Sequence, residues 1–175
     1  NARDATGSAT TSGTPPLYKT NIVNSLPVAR FAQVVSGHLN LPDFMTGYAD
    51  GEAFLVVKTV ADPPTAEAKT GLWNLGSAAT SSTHFSWTDE TIYDSFGTTV
   101  RKTTVNPTPA LTSWRLYHVA SQSGDWTSRL DTAPLFTTAT NTVAFPAAPR
   151  IGKSLGAFYL DGDIVHENWE TQRNG

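Results

Sequence analysis

Trp114-Arg-Leu-Tyr-His-Val-Ala-Ser121, followed after a short polar turn by Asp125-Trp-Thr-Ser-Arg-Leu-Asp131, decides the fold. Successive side chains of an extended chain alternate, so Trp114, Leu116, His118 and Ala120 share one face and Arg115, Tyr117, Val119 and Ser121 the other. Both faces carry large groups. A strand apolar on both sides belongs in the middle of a sheet covered on each face, as in a two-layer sandwich. Between the two segments Gly124 can take a positive φ and Asp125 can bond to nearby backbone, which predicts a hairpin.

Outward from this hairpin the chain reads as short β segments separated by turn residues. Ala53-Phe-Leu-Val-Val-Lys-Thr-Val60 is the strongest strand: continuous in hydrophobicity, rich in branched residues, preceded by Asp50-Gly51 and stopped by Asp62-Pro63-Pro64. Further strands are expected over residues 71–75, 83–87, 91–96, 99–105, 135–138, 141–145 and 158–166. No long stretch has a capped 3.6-residue period, so helix is limited to a turn around residues 41–45. Strands at this spacing, with polar turns and no internal repeat, indicate an all-β sandwich or barrel.

The chain has 175 residues, enough for one well-buried core and short for two. It has no cysteine, hence no disulfide and no Cys-based metal site. A net charge of −3 with 12 scattered basic residues provides no basic stripe for phosphates, which argues against nucleic acid as a partner. No apolar run approaches the length of a membrane span, and no signal-like apolar stretch follows Asn1, so no membrane insertion is expected. Residues 1–16 are mostly small and polar, carry no large apolar side chain and end in Pro15-Pro16. Residues 1–20 are therefore expected to be an extended N-terminal arm and residues 21–175 the sandwich. The arm is either a flexible leader or a segment ordered against other protein subunits of an assembly, with Leu17 and Tyr18 as its first anchor.

The Trp-x-x-x-His-Val strand, Arg150-Ile-Gly152 and Tyr159-Leu-Asp-Gly-Asp-Ile164 together resemble the concanavalin A-like, laminin G-like jelly-roll family, over roughly the last two-thirds of the chain. That resemblance implies an antiparallel two-sheet jelly-roll sandwich. Ile92-Tyr-Asp-Ser-Phe-Gly-Thr-Thr-Val-Arg-Lys102 and Asn106-Pro-Thr-Pro109 are similar, more narrowly, to laminin G-like domains of bacterial and bacteriophage surface or virion proteins. They imply an extracellular or virion-surface location. Where that pattern usually places a Gly after Asp131, this chain has Thr132, so the second hairpin is expected to be longer or less regular.

The resemblance implies that a retaining glucanase of this fold would carry Glu-x-Asp-x-x-Glu on one strand, where two carboxyl groups flank the scissile bond at about 5 Å. No such motif occurs. The nearest sets are Asp161, Asp163, Glu167 and Glu170, and Asp89, Glu90 and Asp94. Four histidines (His38, His84, His118, His166) accompany many Ser and Thr, but there is no Gly-x-Ser-x-Gly, and His118 reads as structural. Asp163 with His166 and Glu167 is a minor metal candidate. No cofactor is expected, calcium excepted: Asp50, Asp161 and Asp163 are the candidate ligands if loops bring them together, since Ca²⁺ takes about six to eight oxygens, and otherwise they form turns.

Carbohydrate is the better ligand class, because sugar rings present apolar C–H faces and hydroxyls that suit an aromatic plate flanked by polar groups. Trp73, Trp87 and Trp114, together with the Phe54-Val56 stretch, are expected in the core. That leaves Trp126, Trp169 and Tyr93 as candidate plates, with Asp131 as a polar neighbour. The expected function is a non-catalytic, lectin-like recognition or decoration module that binds surface glycans. A purely structural virion or assembly protein is the alternative, and a glycoside hydrolase the third.

Overall fold

A computed structural model describes residues 6–9, 14–77 and 83–165. In chain order its strands are β1 (Thr6–Ala9), β2 (Leu17–Val23), β3 (Leu26–Phe31), β4 (Gly37–Asn40), β5 (Asp50–Thr59), β6 (Trp73–Asn74), β7 (Tyr93–Asp94), β8 (Lys102–Thr103), β9 (Arg115–Gln122), β10 (Asp125–Leu130), β11 (Ala133–Thr138), β12 (Arg150–Ile151) and β13 (Gly162–Val165). Short 3-10 turns occupy Gln33–Val35 and Glu67–Lys69, and the turn expected at residues 41–45 is not helical. No helix among the described residues is long and apolar enough to cross a membrane.

Seven strands form one antiparallel sheet in the order β11-β10-β9-β5-β13-β3-β2, and β1-β4-β12-β6 form a second. The two layers enclose one core. Leu55, Val57, Tyr117, Val119, Trp126 and Ile164 enter it from the larger sheet, Trp73 and Ile151 from the smaller, and Leu72, Phe85, Phe96 and Leu160 from the connections. Apolar residues from both inner faces interdigitate, which makes this an all-β, two-sheet jelly-roll sandwich.

Both hairpins around β10 are tight. Pairing of Gln122 with Asp125 leaves Ser123 and Gly124 as the turn, and Gly124 takes φ 75°, a conformation that costs glycine little. Pairing of Leu130 with Ala133 leaves Asp131 and Thr132, so the second turn is as short as the first despite lacking the glycine. Asp131 itself adopts φ 55°, and the irregularity expected there lies in the strand, as a register shift between Ser128 and Arg129.

Several expectations change. Strands anticipated over 83–87 and 141–145 reduce to isolated bridges at His84 and Val143, and those over 91–96 and 99–105 to the two-residue β7 and β8. Only one face of β5 is covered. Ala53, Leu55 and Val57 point inward, while Phe54 is 55% exposed. Trp114, on the same outer face, is half-buried and lies outside the core in which it was expected; Trp87 is also half-buried. Continuous hydrophobicity misled here because it does not tell which of two apolar faces meets the second sheet.

Of the N-terminal arm, residues 6–9 are described as a strand: β1 pairs antiparallel with β4 of its own chain, Thr6 to Asn40 through Ala9 to Gly37. The Thr14 amide donates to Val35 O at 2.9 Å. Leu17 and Tyr18 are exposed members of β2, the edge strand of the larger sheet, and the expected boundary at residues 20 and 21 falls inside that strand.

Candidate functional site

The residues singled out from the sequence do not form one site. Trp126 is fully buried, the reverse of its expected exposure. It pairs with Ser121 on the core face, and its indole N–H donates to Phe96 O at 2.9 Å. Tyr93 is half-buried and already engaged: its hydroxyl donates to Asp89 Oδ2 at 2.7 Å, and the Arg101 guanidinium lies 4.5 Å from its ring centre. Asp131 is exposed but tied back, accepting the Leu116 amide at 3.0 Å and pairing with Arg115 at 3.2 Å. Trp169 lies outside the described residues, as do His166, Glu167 and Glu170.

Of the calcium candidates, Asp50 lies apart from Asp161 and Asp163. Asp163 pairs in register with Lys58, eight residues along β5 from Asp50, a span of about 26 Å. Asp161 is paired with Lys69 at 3.4 Å and Asp163 with Arg30 at 2.7 Å. Among the described residues no three metal-ligating side chains cluster. The second carboxylate set also disperses, since Asp94 is enclosed in the core while Asp89 and Glu90 lie in an exposed turn.

A different surface carries a concentration of suitable groups: the outer face of the seven-stranded sheet. Strand register fixes its layout. Glu52, Phe54, Val56 and Lys58 alternate outward along β5, opposite Ala120, His118 and Leu116 of β9, and Arg129 of β10 pairs with His118. Phe54 stacks on His118 with ring centres 4.4 Å apart and planes 11° from parallel. The other side of this pair is polar: His118 Nε2 contacts Glu52 Oε1 at 2.5 Å. The result is a flat ring, held from behind and open to solvent in front.

Toward the far end of β5 the face deepens into a cleft of about 430 Å³, lined among others by Arg30, Lys58, Val60, Thr112, Asp161 and Asp163. Its floor is backbone. Gly162 sits so close to β5 that a Cβ there would lie 2.2 Å from Lys58 O, so only glycine lets β13 pass. Asp163 is buried at the base, accepting Arg30 Nε–H at 2.7 Å and Nη2–H at 2.9 Å, with Lys58 Nζ 3.7 Å away. The hydrogen bond to Asp163, and then its charge, raise the Arg30 pKa further above its ordinary value. Lys58 Nζ also lies 5.0 Å from the Trp114 ring centre, linking the cleft to that half-buried indole.

Sequence reasoning missed this face, although a signal was present. Glu52 and Lys58 bracket Phe54 and Val56 at alternate positions, and a strand face with charges at both ends meets water.

No family model matches the chain, and no curated protein matches it in sequence. Solved structures do. The chain is similar to domain 4 of AbnA, a GH43 extracellular arabinanase from Geobacillus stearothermophilus, solved in complex with arabinotriose, with a TM-score of 0.65 over 94% of this chain and 81% of that one at 12% identity. It is also similar to the receptor binding domain of botulinum neurotoxin mosaic serotype C/D, with a TM-score of 0.59 over 96% of this chain and 44% of that one at 8% identity. At such identities the likeness is one of fold, and the fold is the antiparallel jelly-roll sandwich.

Proposed function

We propose that this chain is a non-catalytic carbohydrate-binding module of an extracellular protein, and that it holds a glycan against the outer face of its seven-stranded sheet. The observation that carries this is Phe54, a large aromatic ring 55% exposed in mid-sheet and stacked on His118. A sugar's C–H face covers such a ring, while Glu52, Arg129 and the cleft residues Arg30, Lys58 and Thr112 offer partners to its hydroxyls. The arabinanase domain of similar fold, solved with arabinotriose, supports the ligand class.

The same face argues against hydrolysis. Its carboxylates are Glu52 near one end and, at the other, Asp161 and Asp163, which are held in ion pairs by Lys69 and Arg30. Asp163 pairs in register with Lys58, six residues from Glu52 along β5. That is about 20 Å, well beyond the roughly 5 Å of a retaining pair or the 6.5–9.5 Å of an inverting one. A purely structural role in a virion or other assembly has no comparable observation behind it, since the described part of the arm lies on its own chain.

Binding of a panel of plant and bacterial oligosaccharides, measured by titration calorimetry, tests the proposal. At least one class should bind, and Phe54→Ala and Trp114→Ala should each weaken it by at least about tenfold without unfolding the domain. Glycan binding that survives both substitutions would move the site elsewhere.

A further inference from the structure

We infer that the glycan taken by this face is anionic, bearing carboxylate or sulfate groups; the inference rests on the binding role proposed above and names its ligand class. The argument is where each charge sits. In the Arg30–Asp163–Lys58 cluster the carboxylate is at the bottom, with 5% of its side chain exposed, and the two cations form the rim, with 42% and 32% exposed. One buried anion under two accessible cations leaves a cleft whose outward charge is positive.

The guanidinium is also fixed in orientation. Asp163 takes Nε–H and one Nη2–H of Arg30, which is the side-on bidentate arrangement. The opposite edge of the fork, with its remaining N–H groups, is left for a second anion. Because Asp163 already holds the side chain, an incoming carboxylate or sulfate need not supply the ordering entropy that a free arginine would cost.

Of the other anions near the face, Asp161 is paired with Lys69, and one oxygen of Glu52 is engaged by His118 Nε2. At the Phe54 end Arg129 is exposed, pairs in register with His118, and has no ion-pair partner among the described residues. Phe54 and Lys58 are four residues apart on one strand face, about 13 Å. A short oligosaccharide lying along β5 over the Phe54 ring therefore meets a cation at each end, from which a neutral sugar gains hydrogen bonds but no charge pairing.

The test compares an oligogalacturonate, a sulfated galactan oligosaccharide and a neutral galactan oligosaccharide of matched length, on the whole chain, by calorimetry at low and high salt. The acidic probes should bind at least about tenfold more tightly than the neutral one, with the advantage shrinking as salt rises. The better of the two identifies the anion. Lys58→Gln and Arg129→Gln, which keep a hydrogen-bond donor but lose the charge, should each remove most of that advantage, weakening acidic binding far more than neutral binding. Equal, salt-independent affinity for neutral and acidic probes would overturn the inference and leave the binding role standing, as would acidic binding indifferent to both substitutions. Failure of every glycan to bind would remove both.

Discussion

Tyr117 and Asp94 meet in the middle of the sandwich, where the phenol donates to Asp94 Oδ2 at 2.6 Å and neither side chain reaches water. Asp94 Oδ1 accepts three more bonds, from the Trp73 indole at 3.0 Å, the Phe96 amide at 2.8 Å and the Thr83 hydroxyl at 3.2 Å. Tyr117 belongs to the larger sheet and Trp73 to the smaller, so one carboxyl group ties the two layers. Burial nevertheless pushes the Asp94 pKa up, and burial together with the neighbouring Asp94 pushes that of Tyr117 up.

Tyr117→Phe should therefore cost about 1–3 kcal/mol in chemical denaturation, because it keeps the ring and strands a buried carboxyl oxygen. Asp94→Ala, which leaves several buried donors without an acceptor, should cost more. A Tyr117→Phe variant as stable as the parent would show that Oδ2 finds another donor.

His84 supplies the pH dependence. It is enclosed beside Thr70, Trp87 and Phe158, and burial, with Arg101 nearby, lowers its pKa from 6.5 to about 4. Between those values the unfolded chain binds the proton more tightly than the folded one. The stability His84 contributes is thus present in full above about pH 6.5 and is lost as pH falls toward 4, up to about 3 kcal/mol. Denaturation curves of the parent and His84→Asn between pH 7 and 4 should differ in slope, the variant falling less. Parallel curves would mean that His84 titrates normally.

The two aromatic residues whose exposure was misjudged make a paired test. Trp126→Ala should cost about 3–5 kcal/mol, since it empties a filled core site and strands the Phe96 carbonyl. Phe54→Ala removes an exposed ring and should cost under about 1 kcal/mol. Equal losses for the two would contradict the assignment of β5 and β10 faces.

What the sequence made legible was periodicity and turn chemistry. Alternation in residues 114–131 gave the β9–β10 hairpin, and the branched run at 53–60 gave most of β5. Which face of those strands turned inward was not legible, because that depends on where the smaller sheet lands, and its strands β4, β6 and β12 are too short to carry a pattern. Trp126 and Phe54 were misplaced for this one reason. The cleft was hidden for another: Arg30, Lys58 and Asp163 are brought together only by the register of β3, β13 and β5, and the largest sequence separation among them is 133 residues. Composition did not reveal β1 either, since small polar residues that build no core can still add a strand through backbone pairing, as β1 does on β4.

Asp131 shows how the second hairpin turns tightly without glycine. Its φ of 55° is tolerated best by Asp, Asn and Gly, and its side chain and backbone both bond Leu116, the carboxylate accepting the Leu116 amide at 3.0 Å and the Asp131 amide donating to Leu116 O at 2.7 Å. The exposed pair with Arg115 adds at most about 1 kcal/mol. Asp131→Asn keeps an acceptor oxygen and the backbone conformation, so it should stay within about 1 kcal/mol of the parent. Asp131→Ala loses the acceptor and strains the turn, and should cost about 1–3 kcal/mol. Asp131→Gly relieves the strain but not the lost bond and should fall between them. Thermal and urea unfolding of the three variants decide the matter: if Ala matches Asn, the bond to Leu116 does not hold this turn.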